Sequence, residues 1–199
     1  MTFKPALIIT LINVLLTSGA YAQTPAPNTR DMADFKVQVW GVAAADFDAR
    51  MLAYADMRAD LQRGMTPLRL TDDPREIRKA ERALAKRIRA VRSGAHGGEI
   101  FTPEIAAAFK RALVLETRPS TCASILDDNP GAFDYSINGT YPKRRPLSTV
   151  PPGILMLLPR LPADVEYRFL GRHLILHDSR ANVILDRILE AIECREIHD

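Results

Sequence analysis

The sequence predicts an α+β fold, a helical N-terminal half packed on a small C-terminal antiparallel β-sheet. Residues 43–117 hold apolar residues at helical spacing, with helix-start signals at Asp73-Pro74 and Thr102-Pro103. After Asp128 the pattern changes to turn residues, prolines and short β-prone runs. The last of these runs are apolar, of strand length, and separated by Gly171-Arg172 and by Ser179–Asn182.

Residues 1–22 read as an export leader. Lys4 supplies a positive start, and Ala6–Leu16 is apolar except for Thr10 and Asn13. Ala20-Tyr21-Ala22 is a small-x-small cleavage site, so the mature chain is expected to begin at Gln23. The apolar run falls short of the roughly 20 residues that span a membrane, and no later stretch reaches that length. Gln23, rather than a cysteine, follows the site, which argues against a lipid anchor. Residues 23–40 are expected to be a lead-in, proline-rich and polar over Thr24–Arg30, ahead of one domain over 41–199.

The first helix is expected over 43–63. Phe47, Met51, Tyr54 and Leu61 form its apolar face, Asp46, Asp48, Asp56 and Asp60 its acidic residues, and Gly64 its stop. Asp73 as N-cap and Pro74 at the first helical position open a second helix over 74–92, closed by Ser93-Gly94. Thr102-Pro103-Glu104 repeats the start signal for a third over 103–117, with Ile105, Phe109, Ala112 and Leu113 as its stripe. Thr121–Leu126 suits a short fourth helix carrying Cys122.

The segment 133–190 is expected to be β-rich. Asn138-Gly139, within Asp134–Tyr141, is a strong hairpin signal. Asn138-Gly139-Thr140 also fits a glycosylation sequon, read here as a turn. Prolines punctuate residues 142–162, and Gly153–Leu158 between them suits a short apolar helix. Glu166–Leu170, His173–His177 and Val183–Ile188 read as strands, the last continuing into a terminal helix at Leu189–Ile197. Cys122 and Cys194 form an even pair, and an oxidising compartment favours joining them. Free buried thiols, or a redox or metal pair, are the competing readings. The absence of Cys-x-x-Cys speaks against redox catalysis.

The stretch Thr140–Ile188, TYPKRRPLSTVPPGILMLLPRLPADVEYRFLGRHLILHDSRANVILDRI, resembles a family of exported bacterial proteins with no assigned activity. The upstream segments LTDDPREIRKAERALAKRIRAVR and GEIFTPEIAAAFKRAL are similar to members of it. The resemblance implies export and a fold, but no mechanism. The pattern Tyr167-Arg168, Gly171, Leu174–Leu176, Asp178 and Val183–Asp186 is similar to a hairpin of small periplasmic proteins linked to nickel and cobalt homeostasis.

The clearest candidate site is cationic. Arg75, Lys79, Arg82, Lys86 and Arg89 recur at spacings of three and four along the second helix, opposite Ile77, Leu84, Ile88 and Val91. Such a row suits a polyanion. The competing reading is an ordinary solvated face, or one paired with the aspartates of the first helix. No aromatic residues interleave with the cations, so base stacking has no support. The chain holds 27 Lys+Arg against 24 Asp+Glu, and losing Lys4 leaves it barely basic, so net charge gives no argument for nucleic acid.

Other constellations are weaker. His173 and His177 on one strand would lie about 13 Å apart, too far to share a metal that binds nitrogen at about 2.0 Å. His96 falls in a Gly-rich loop, and His198 close to the C-terminal end. Gly-x-Ser-x-Gly, Ser-x-x-Lys and HExxH motifs are absent, as is a phosphate-binding Gly loop with its lysine. Ser148 and Thr149 read as helix-start residues, Asp72-Asp73 and Asp127-Asp128 as cap and turn residues, and Tyr135, Tyr141, Tyr167 and Phe169 as cross-strand packing. The expectation is therefore a periplasmic or secreted, disulfide-closed protein, most simply a non-enzymatic binding module. Its partner would be an envelope component or another protein. No catalytic residue, metal or cofactor is assigned. Two alternatives stay open: a metal-handling accessory protein, and a hydrolase assembled from dispersed residues such as His177, Asp178 and Ser136.

Overall fold

The computed structural model describes residues 29–65 (29–39 through their backbone), 72–127, 129, 135–142, 145–146 and 148–194. The leader, the first residues of the lead-in, Asp134 and His198 lie outside the described residues. In order come α1 (Thr29–Arg63), α2 (Pro74–Val91), α3 (Pro103–Glu116), α4 (Pro119–Asp127), α5 (Pro152–Leu157), β1 (Val165–Leu170), β2 (His173–Asp178) and β3 (Val183–Ile188). The strands form an antiparallel meander in the order β1-β2-β3. The expected α+β class is the observed one.

Four departures from expectation exceed a shift of one residue. The helix begins at Thr29, inside the expected lead-in, and is broken at Gly41, whose φ of 44° and ψ of −131° are non-helical. The expected start at residue 43 is thus the restart after that break. The Asn138-Gly139 turn forms, with Gly139 N donating to Ser136 O at 2.9 Å, but residues 135–141 are not strands. Beyond that turn bond they pair with β3: Asn138 N donates to Ile184 O at 2.8 Å, and Ile184 N to Gly139 O at 3.0 Å. Leu189–Cys194 is not helical, because Ala191 N turns back to Arg172 O at 2.8 Å; residues 195–197 lie outside the described residues. Fourth, α4 runs from Pro119 to Asp127, longer at both ends than expected.

The core has an aromatic centre. Phe109 of α3 is fully buried, with the rings of Trp40, Phe47, Phe101 and Tyr167 at centroid distances of 4.7, 5.1, 5.0 and 5.8 Å. Those residues come from both limbs of α1, the loop before α3, and β1, so one side chain links every layer. Trp40 also donates Nε1–H to Leu157 O at 3.1 Å, which ties α1 to the end of α5.

Both faces of the sheet are covered. Tyr167, Phe169, Leu174, Leu176 and Val183 join the helical core, while Leu170, Ile175 and Ile184 pack against Tyr141. This explains why β2 reads as a nearly continuous apolar run. A bulge in β3 opposes Leu176 to Asp186 and His177 to Ile184, leaving Leu185 as the extra residue. The bulge puts both Leu185 and Asp186 on the helical side.

Cys122 of α4 is bonded to Cys194, with Cα atoms 5.6 Å apart and 72 residues of sequence separation. The chain-entropy estimate for so long a loop is about 4 kcal/mol.

Candidate functional site

The second helix forms as its capping signals require. Asp73 accepts a hydrogen bond from Arg75 N at 2.8 Å, Pro74 takes the first helical position, and Glu76 sits in the first turn. Leu84, Ala85 and Ile88 are buried against the body. Ile77, on the same face but nearer the N-terminus, is 45 % exposed. The N-terminal half of α2 thus stands away from the core.

On the opposite side, Arg75, Lys79, Arg82 and Lys86 are all exposed. At 1.5 Å per residue they span about 16 Å along one face. Among the described residues none of these four side chains has a hydrogen bond or ion pair. The aspartates of α1 are engaged elsewhere or not at all: Asp46 pairs with Arg50 at 3.0 Å and Asp60 with Arg63. Like charges one turn apart each cost a helix about 0.2–0.5 kcal/mol. An external anion would relieve that repulsion.

Arg89, the fifth expected residue, is differently placed. Its Nε donates to Asn138 O at 2.7 Å and its Nη2 to Thr140 Oγ1 at 2.6 Å, so it clamps the turn onto α2. Asn138 itself donates Nδ2–H to Arg92 O. The sequon is occupied at both of its polar side chains, in line with the turn reading. Arg87 reaches Leu61 O at 3.1 Å, and a Cβ at Gly64 would come within 2.8 Å of its Nη1. Arg92 bonds Leu185 O at 3.0 Å and Glu99 at 2.8 Å.

His177 does not meet the partners that a hydrolase would need. Its Nδ1 lies 2.9 Å from Glu166 Oε1, and its Nε2 lies 3.0 Å from Asn182 Oδ1. A carboxylate only accepts. Asn182 donates its Nδ2–H to Tyr141 O at 3.0 Å, which leaves Oδ1 as an acceptor too. Both ring nitrogens are thus engaged by neighbouring side chains, and neither is open to a substrate or a metal ion. Burial alone would raise the Glu166 carboxyl. Hydrogen bonds and positive charge from His177 and Arg168 outweigh it and bring its pKa down to about 2.

Asp178, next to His177, faces the other side of the sheet. It accepts from Tyr54 Oη and Arg58 Nε, both at 2.7 Å, and from Ala181 N. Ser136 is exposed in the turn and bonds neither residue. His173 and His177 share β2 as expected. His173 Nδ1 accepts from Glu190 N at 3.0 Å, and His96 is exposed in its loop. Among the described residues no three His, Cys, Asp or Glu side chains converge where they could hold a metal ion, and no helix is long and apolar enough to cross a membrane.

Two acidic groups escaped sequence reasoning. Asp186 is fully buried and accepts from Gly98, Ile100 and Phe101 N–H at 2.9, 2.7 and 2.8 Å. It fixes the loop that carries Phe101 into the aromatic centre. Glu166 faces His177 directly across the hairpin, and that register follows from a two-residue turn at Gly171-Arg172. Comparison of the chain with family models, with curated proteins and with solved structures finds no match in any of the three.

Proposed function

We propose that this is an exported envelope protein that works by binding rather than by catalysis, and that α2 holds an anionic partner on Arg75, Lys79, Arg82 and Lys86. One observation carries the reading: four exposed cations aligned over about 16 Å, with no carboxylate of the described residues set against them. A structural role would have paired them, as Arg89, Arg87 and Arg92 are paired. The leader pattern supports export, and the Cys122–Cys194 bond is in keeping with an oxidising compartment. The resemblance to exported bacterial proteins points the same way.

Vesicles containing phosphatidylglycerol and soluble polyphosphate serve as probes, titrated at increasing salt. Four cations acting together predict a steep fall of affinity, with a log–log slope of about −3. The double variant Lys79→Glu/Arg82→Glu removes two positive charges from the centre of the row and adds two negative ones. It should abolish binding to both probes while leaving thermal unfolding unchanged. Unaltered affinity in that variant overturns the reading.

A further inference from the structure

A groove of ≈ 440 Å³ is lined by Val165, Glu166, Tyr167 and Arg168, four consecutive residues of β1. Successive strand residues point to opposite faces, so a cavity touched by four in a row runs along the strand's edge. β1 is an outer strand of the sheet.

The backbone bonds show which groups face outward. Asp164 O accepts from Ser179 N at 2.8 Å on the β2 side. Val165 N turns away, to Pro162 O at 3.2 Å, and Phe169 O accepts from Ser148 Oγ. The N–H and C=O of the odd-numbered residues of β1 therefore point away from β2, and of these residues Val165 and Tyr167 line the groove. Among the described residues, the N–H and C=O of Tyr167 and the N–H of Phe169 have no hydrogen-bond partner. Yet Tyr167 is 6 % exposed and Phe169 fully buried. Buried backbone groups are almost always paired, so an unpaired set along one edge marks a position that another chain would fill.

The facing wall is apolar, with Val150, Leu155, Leu158 and Leu161. Glu166 and Arg168 pair with each other at 2.6 Å. Arg160, also in the wall, is exposed and has no ion pair among the described residues.

We propose that this groove binds an extended peptide segment of a partner protein, which pairs its backbone with Tyr167 and sets an acidic side chain against Arg160. Alternate apolar side chains of the peptide would meet the Leu wall. Main-chain pairing supplies affinity and Arg160 selects the charge. Ser148 and Pro162 close the two ends, so the open edge suits a segment of about three residues. The assignment is independent of α2, with which it shares no residue.

The test uses the full chain and the peptide acetyl-Val-Thr-Asp-Thr-Val-amide, whose valines and aspartate share one face. Two variants accompany it: asparagine for aspartate, and the central amide N-methylated. The aspartate peptide is expected to bind, with slowed hydrogen exchange at the Tyr167 and Phe169 amides. N-methylation should weaken binding about tenfold or more, and Arg160→Gln should make the aspartate and asparagine peptides equal. Absence of binding up to about 1 mM overturns the proposal. So does binding indifferent to N-methylation, or slowed Tyr167 exchange that grows with protein concentration alone, which would mean pairing with a second copy.

Discussion

Replacing Glu166 by Gln should cost stability in a way that depends on pH. The carboxylate faces His177 Nδ1 on β2 at 2.9 Å and Arg168 on β1 at 2.6 Å, and its pKa is lowered from an ordinary 4.5 to about 2. In the unfolded chain that protection is absent, so between the two values the unfolded state binds more protons. The stabilisation is therefore complete above the unfolded pKa and is lost as pH falls toward the folded one. A shift of that size is at most about 3 kcal/mol at pH 7, falling to about 1 kcal/mol at pH 3, and solvent screening of this half-buried carboxylate reduces both. Every other carboxylate is common to the two chains, so the gap between them isolates this group. Urea unfolding of both chains at each pH measures it. A gap that is the same at pH 3 as at pH 7 would refute the electrostatic account of the Arg168–Glu166–His177 row.

Phe109→Ala removes the ring shared by Trp40, Phe47, Phe101 and Tyr167; chemical denaturation should show a loss of about 3–5 kcal/mol. Asp186→Asn replaces an acceptor for three loop amides by a group that accepts at one oxygen only. It should cost about 2–4 kcal/mol, with faster amide exchange at Gly98, Ile100 and Phe101. Reducing the Cys122–Cys194 bond, or replacing both cysteines by serine, should lower stability by about 4 kcal/mol, read from the denaturation midpoint of each form.

The strands and helices were legible because their signals are local. Asp73-Pro74 and Thr102-Pro103 mark helix starts that the structure keeps, and β3 occupies Val183–Ile188 as expected. Arg75, Lys79, Arg82 and Lys86 were legible for the same reason: a helix with one apolar face leaves its cations on the other. Arg89 looked equivalent to them, because nothing along the helix records that residues 138–140 would come to lie beside it. Asp186 depends on a one-residue bulge, which carries no mark in an apolar strand. The Glu166–His177 pair could have been derived by counting outward from the Gly171-Arg172 turn. The open edge at Tyr167 could not, since it exists only because Ser148 and Pro162 take the positions on either side.

The covalent link between Cys122 and Cys194 encloses the whole sheet within one ring. A protease that nicks the backbone once between those positions would yield two pieces travelling as a single species. Its action would show only on a reducing gel, so a chain of this design can be clipped and still keep its parts in place.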